Sequence, residues 1–467
     1  RKALQAQVLH AIDAGDNDTA RLGAYVAARI VDCHLATMER LGIRYDLLAH
    51  ESDILRLHFW ERAFELLKES GAIRLETEGK SAGCWVLSME ASAQPAERDA
   101  HPLGRNLDDE PAGEAQSVAA EGRRIDEDKI IVRSNGTVTY TGKDIAYQLW
   151  KLGLLDRDFR YRRHQTYEDG HLLWTTASAE GQAGAPVFGH ARAVYNVIDV
   201  GQSYPQRVVK AGVAATSHPE AAEACHHLAY EKVVLSPATA RALGYEVSEE
   251  ETTVKVSGRK GLGVKADDLI RALIDKAREE IASRDPERDA ASCERTAQAI
   301  AVGALRYFLL KYGRTKILTF DMEEALAFTG ETGPYVQNAV VRARNIFAKM
   351  RDEGTDLERL LSRARSLDLS AWLQGEEGDE VWSLLLLMAR SDEVVEQAIR
   401  VEAPAVVAKH AFGVAQAFHS YYQKPRYSVL RAENEEVKAF RVLVVDAFLR
   451  QMHILTGLLA IPIPERM

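Results

Sequence analysis

At 467 residues, with 46% hydrophobic and 27% charged positions, the chain is too long for one core; at roughly 100–200 residues per domain it holds two to four. A net charge of −10 excludes indiscriminate binding of polyanions, which needs many phosphates to be neutralised, but leaves room for local basic patches. No run of about 18 apolar residues occurs, which excludes a membrane span, and Cys33, Cys84, Cys225 and Cys293 lack C-x-x-C or zinc spacing, which excludes a disulfide framework and a bound metal and fits the cytoplasm.

The first residue is Arg1, with no targeting layout near it, and the expectation is a piece of something longer. From Leu4 to about Lys68 the pattern is helical: "HFWERAFELLKESGAI" sets Phe59, Ala63, Leu66 and Leu67 on one face and stops at Gly71. Residues 1–90 are thus expected to be largely helical, and 91–128, rich in Ala, Glu, Asp, Gly and Pro, an acidic flexible insertion. Ile130 to Arg133 and Thr137 to Tyr140 flank Ser134, Asn135 and Gly136, a hairpin signature, and a helix is expected from near Lys143. "VYNVIDV", Val194 to Val200, reads as a buried strand followed by a helix, and Val233 to Leu235 as another strand. Alternating strands and helices over 129–292 predict an α/β domain with a parallel sheet. From Cys293 long amphipathic patterns take over, the last with a stripe of Val437, Phe440, Val444, Phe448 and Leu455, so 293–467 is expected to be an all-α domain.

Polar residues cluster at predicted strand ends, where open α/β sheets bind ligands. Tyr140, Asp144, Asp199, Gln202, His227 and the loop "VKVSGRKGLGVK" are the candidates. Asp144 has two readings: a carboxylate capping a helix or complementing its dipole, or one holding a cationic substrate, since a carboxylate takes a guanidinium through two parallel hydrogen bonds with Tyr140 as a wall. The loop, Val254 to Lys265, combines three glycines with four basic residues; it is either a solvated surface loop or an anion-handling one, and it matches neither P-loop nor dinucleotide spacing. Arg157, Arg160, Arg162 and Arg163 could touch phosphates, but Asp156 and Asp158 lie among them, and the run reads rather as a solvated face. His226 and His227 lack a third metal ligand, and no nucleophile motif is present.

Several stretches in order resemble the arginyl-tRNA synthetases, class I ligases of bacterial type: "VRSNGTVTYTGKDIAYQLWKLGLL", "YNVIDVGQSYPQ", "HHLAYEKVVLS", "VSGRKGLGVKADDLI", "GALRYFLLKY", "LAFTGETGPYVQNAVVRARNIF" and "GLLAIPIPERM". The resemblance runs from about Arg40 to Met467. It implies a partial Rossmann-like catalytic domain followed by an α-helical anticodon-binding bundle. It also implies ATP-dependent activation of L-arginine, with Mg2+ accompanying ATP, and transfer to tRNA(Arg) by a cytoplasmic, monomeric protein. Tyr140, Asp144 and Gln202 match residues facing the arginine side chain. His227, Glu231, Lys232 and Val233 match the strand and turn that hold adenine, with Glu231 and Lys232 where many relatives carry Gly and Met.

"KVSGR" resembles the KMSKS-like signature, with Gly258 in place of its second lysine, so Lys255, Ser257, Arg259 and Lys260 are expected to stabilise the leaving pyrophosphate. Tyr335, Ala339, Tyr422 and Met467 match positions that contact or shape the anticodon loop, Tyr335 being equally readable as helix packing after Pro334. No HIGH-like signature occurs. The resemblance therefore leads to the expectation of an incomplete enzyme, the C-terminal two thirds, binding tRNA without forming arginyl-adenylate by itself. The alternatives are a non-catalytic tRNA-binding paralogue or regulatory protein and, last, a helical scaffold.

Overall fold

The helix Tyr140–Lys151 organises the first part of the structure, a computed structural model that describes residues 4, 7–8, 11–12, 15–89, 128–248, 252–254 and 264–467. The chain divides into two compact units, Arg1–Ala20 with Tyr45–Ala229, and Arg21–Arg44 with Tyr230–Met467.

In the first unit Ile145, Ala146 and Leu149 recur at helical spacing and are fully buried in one core with Phe59, Leu67, Ile131 and Val208. Each such side chain contributes about 1.5–3 kcal/mol by leaving water, and Leu149→Ala is the change that would open the core, at a cost of roughly 2–5 kcal/mol. The helix starts where Thr139 accepts from Gly142 N as N-cap; the same hydroxyl donates to the Ile130 and Ile131 carbonyls at 3.2 and 3.1 Å, tying the helix to the strand Lys129–Val132. Gly142 is needed there, because a Cβ would stand 3.0 Å from the Ile131 carbonyl oxygen, the Trp60 ring and Val138.

The expected Ser134-Asn135-Gly136 turn closes with Arg133 N donating to Thr137 O at 2.9 Å and Gly136 at φ 79°. Its second arm is not a strand: only Val138 bridges back, to Val132, because the helix takes Tyr140 onward. Lys129–Val132 completes an antiparallel sheet with Trp85–Leu87 and Ile73–Leu75. Leu172–Ala177 pairs in parallel with Leu47–Leu48 and antiparallel with Arg160–Thr166. The strand Val194–Asp199 pairs with Cys225–Tyr230 and leads through the 3-10 turn Val200–Gln202 into the helix Ser203–Ala214. That helix approaches the Tyr140–Lys151 helix so closely that a Cβ on Gly212 would lie 2.8 Å from Ile145 Cδ1.

In the second unit Val233–Leu235 and Leu318–Phe320 form a parallel pair. The helices Ala266–Arg284 and Ala290–Leu310 bury Leu273, Ala277, Ala297, Ala301 and Phe308 in a common cluster. The helices Gly333–Asp352, Leu357–Arg365, Gly375–Ala389, Ser391–Arg400, Ala405–Tyr422 and Glu435–Leu458 enclose a second core, in which the rings of Phe418 and Phe448 stack at 3.8 Å. The stripe read from the sequence faces it: Phe440, Val444, Phe448 and Leu455 are buried, with Val437 at the margin. Gly333 starts its helix against Gly303, where a Cβ would come within 2.3 Å of the Gly303 carbonyl oxygen. Arg306 donates to Leu41 O at 2.7 Å and to Leu459 O at 2.9 Å, joining three distant parts of the chain. Thr37 and Arg40 both bond the Asp267 carboxylate, at 2.8 and 2.6 Å.

The α/β-plus-helical class stands, with two corrections. Among the described residues the strands form several small sheets, not one continuous parallel one, because tight antiparallel pairs share the first unit with the longer crossovers. The stretch after Cys293 is not purely helical either, since Leu318–Phe320, in a β-prone "ILTF" segment, is claimed by Val233–Leu235. The acidic insertion at 91–128 lies outside the described residues except for Asp128, whose carboxylate pairs with Arg74. Among the described residues no helix is long and apolar enough to cross a membrane.

Candidate functional site

Tyr140, Asp144, Tyr147, Gln148 and Lys151 recur every three or four positions along the Tyr140–Lys151 helix and so share one face of it. Thr139 holds the N-cap, so Asp144, in the second turn, caps nothing. Tyr140 is 76% exposed, with Lys143 Nζ 5.9 Å over its ring. Asp144 is open to solvent, yet enough protein surrounds it that desolvation, followed by the nearby Glu51 carboxylate, raises its pKa above the ordinary carboxylate value, against the opposing pull of Lys151 and Lys143. Lys143 itself pairs with Glu51 at 2.9 Å.

Gln202 is presented at the carboxyl end of Val194–Asp199, exposed, as the N-cap position of the next helix. Its short turn is held by Asp199 Oδ1, which accepts from Gly201 N at 2.8 Å, and by Ser203 Oγ, which donates to Val200 O at 2.6 Å. Asn196, two residues inside the strand, is a hub that reading the sequence alone missed. Its amide oxygen accepts from Lys151 Nζ at 3.0 Å, and its nitrogen donates to Gln148 Oε1 at 3.2 Å and Gln206 Oε1 at 2.9 Å. Lys151 also lies 4.4 Å over the Tyr147 ring, and burial lowers its pKa. The only sequence signal for this network was the i, i+7 spacing of Asp144 and Lys151.

His227 sits in the same unit, its Nε2 3.1 Å from Ile198 O, so one ring nitrogen is spent on the neighbouring strand. Tyr140, Asp144, Gln202 and His227 thus all belong to the first unit, whereas Glu231, Lys232 and Val233 belong to the second. The backbone groups expected there to meet adenine are largely engaged: Glu231 N donates to Arg314 O at 2.8 Å, Lys232 O accepts from Leu318 N at 3.1 Å, and Val233 is in register with Leu318. Lys255, Ser257, Arg259 and Lys260 lie outside the described residues. Val254, just before them, exchanges backbone bonds with Leu235 at 3.1 and 2.9 Å.

The second unit also holds a cavity of about 870 Å³, lined among others by Arg284, Phe328, Asn338, Arg342, Arg466 and Met467. Arg284 lies 4.9 Å over the Phe328 ring, so cationic and aromatic surfaces meet at its wall. Of the four residues expected at an RNA surface, Met467 lines this cavity. Ala339 is fully buried in the helical core, and Tyr335 packs on Phe412 at 5.2 Å and His419 at 4.7 Å. Tyr422 stacks on Phe418 at 5.9 Å. Asn338 and Arg342, on the same helix as Tyr335, are the lining residues that sequence reasoning passed over.

Residues 336–467, the helical part that contains Asn338, Arg342 and Met467, match the DALR anticodon binding domain family. The chain as a whole is 32% identical over 465 residues to the arginine–tRNA ligase of Thermococcus kodakarensis, covering 99% of this chain and 64% of that protein. It is 30% identical over 475 residues to that of Deinococcus radiodurans, covering 99% and 67%. The chain belongs to the arginyl-tRNA synthetase family. The solved Thermus thermophilus arginyl-tRNA synthetase superposes with a TM-score of 0.75 at 32% identity, over 99% of this chain and 66% of that one. The chain therefore spans a little under two thirds of the length of the first of these arginyl-tRNA synthetases. These matches state a share of length and do not bear out the expectation of a missing N-terminal portion.

Proposed function

We propose that the chain acts in arginine–tRNA ligation: MgATP-dependent activation of L-arginine and transfer of the arginyl group to tRNA(Arg). The observation that carries this reading is the common face of Tyr140 and Asp144, in the unit that also presents Gln202, within a chain matched along nearly its whole length by arginine–tRNA ligases. Asp144 would grip the guanidinium through two charge-assisted bonds that a lysine could not both supply, Tyr140 would cover its face, and Gln202 would add a neutral bond. His227 and the Glu231–Val233 segment are proposed to flank adenine, through side chains more than through the engaged backbone. Lys255, Ser257, Arg259 and Lys260 are proposed to meet the charge that grows on pyrophosphate as the arginine carboxylate attacks the α-phosphate. The cavity around Asn338, Arg342 and Met467 would take a splayed anticodon base, with 129–292 serving catalysis and 293–467 RNA reading. A monomeric, cytoplasmic protein suits this role. The matching relatives are named as ligases over the whole chain, which favours this reading above that of a non-catalytic paralogue.

Calorimetric titration with L-arginine tests it. Saturable binding that is lost in Asp144→Ala and not matched by L-lysine is the expected result. Absence of arginine binding by the unaltered chain, with and without ATP and tRNA, would overturn the assignment.

A further inference from the structure

The strand Arg160–Thr166 carries Arg160, Arg162 and Arg163, all exposed, and among the described residues none of the three has a carboxylate partner. The neighbouring acid that seems in the sequence to neutralise them does not. Asp158 turns one oxygen inward, where Trp150 Nε1 and Phe159 N donate to it at 2.8 Å each and the Tyr161 hydroxyl donates as well. In a chain of net charge −10, three adjacent uncompensated guanidinium groups are a local inversion of sign.

Their support is rigid. Tyr161, between Arg160 and Arg162, is buried and packs on Phe188 at 5.0 Å, and Arg163 lies 5.6 Å over the buried Trp174 ring. Arg160 and Arg162, two residues apart on a strand, project to the same side, about 6.5–7 Å apart. The outer edge of the strand is not free to add another strand, because Gln182 N donates to Tyr161 O at 2.8 Å and Arg163 N donates to Gln182 Oε1 at 2.9 Å. What the strand offers a partner is the pair Arg160 and Arg162 on one side, with Arg163 held over Trp174 on the other, and the repeating anion that suits such guanidinium groups is phosphate.

We propose that the Arg160–Arg163 strand is a second RNA-contacting surface, on the first unit, which holds phosphates of the RNA backbone without reading bases. This rests on the tRNA ligase reading above and adds a contact separate from the anticodon cavity of the second unit. Its contribution is to affinity and its salt dependence, while base discrimination stays with the cavity.

The test is binding of a tRNA(Arg) transcript to the full chain across a salt series. The variants are Arg160→Gln/Arg162→Gln/Arg163→Gln and the matching triple Lys variant; the side chains are exposed, and thermal unfolding checks that both remain folded. At roughly 0.7–0.9 per phosphate contact, the triple Gln variant is expected to flatten the slope of log Kd against log salt by about 2 and to weaken low-salt binding at least about 10-fold. Its preference for the cognate anticodon should be unchanged, and the Lys variant should keep most of the slope. An unchanged slope in the Gln variant, with the parent chain binding normally, overturns this surface alone. Failure of the parent chain to bind tRNA overturns the ligase reading with it. Polyglutamate binding that matches RNA and is lost in the Gln variant would replace RNA with an acidic protein partner.

Discussion

The ammonium of Lys151 donates to the amide oxygen of Asn196 over 3.0 Å, and the nitrogen of the same amide is shared by Gln148 and Gln206. Every polar atom of the Asn196 side chain is thereby used, and Lys151 also counters the desolvation that raises the Asp144 pKa. Lys151→Met should leave the Asn196 oxygen unpaired, at a cost of about 1–3 kcal/mol in unfolding free energy. It should also push the Asp144 pKa higher still. Urea unfolding and carboxyl NMR titration measure the two effects, and an unchanged Asp144 titration would show that the lysine does not reach it.

Asp144 itself gives a signed pH dependence. Its folded pKa lies above its unfolded value, so its contribution to stability is fully present when both states are protonated and is lost as pH rises through the folded pKa. Asp144→Asn should therefore raise the melting temperature at neutral pH, with the gain shrinking as pH falls below the ordinary carboxylate range, while arginine binding disappears. A variant less stable than its parent at pH 7 contradicts this. On the proposed reading, in which the carboxylate serves arginine, stability and binding move in opposite directions here.

Gly333→Ala drives a methyl group to 2.3 Å from a backbone oxygen, that of Gly303, which no rotamer change can relieve. The two helices must separate, so the second unit should lose at least about 1–3 kcal/mol. Gly212→Ala meets side-chain atoms only, Cδ1, Cγ1 and Cγ2 of Ile145 at 2.8, 3.0 and 3.1 Å, and should cost less. Chemical denaturation of the two variants side by side checks the order.

Ala339 and Asn338 are adjacent in sequence and should behave differently. Ala339→Leu overpacks a fully buried site and is expected to destabilise by about 1–3 kcal/mol, with any loss of RNA binding following the fraction unfolded. Asn338→Ala, on the cavity wall, should leave unfolding unchanged and weaken discrimination between anticodons by about 10-fold. Binding assays well below the melting temperature separate the two.

What the sequence made legible was what local pattern controls. A strand followed by Gly-Gln places Gln202 at a strand end, by spacing within one element; Tyr140 reads as part of a hairpin arm, and only the helix that begins at Tyr140 sets it on one face with Asp144. Lys151 and Asn196 are 45 residues apart and their partnership depends on how a helix lies on a strand, so no window of sequence contains it. The backbone of Glu231 and Lys232 is illegible for a related reason: these groups look available in a turn, but Arg314 O and Leu318 N, more than 80 residues later, engage them. Asp158 lies among arginines in the sequence, and that spacing does not reveal that one carboxylate oxygen faces a tryptophan and a tyrosine.

Arg306 has a bearing on how the protein is made. Its guanidinium bonds Leu41 O and Leu459 O, and the second unit is discontinuous, taking Arg21–Arg44 from one region and Tyr230–Met467 from another. At roughly 5–20 residues per second, a nascent Leu41 waits on the order of 20–80 s before Leu459 is synthesised. Through that interval Arg306 has at most one of the two carbonyl partners that it finally joins, so this three-way link closes only when synthesis of the second unit is nearly finished.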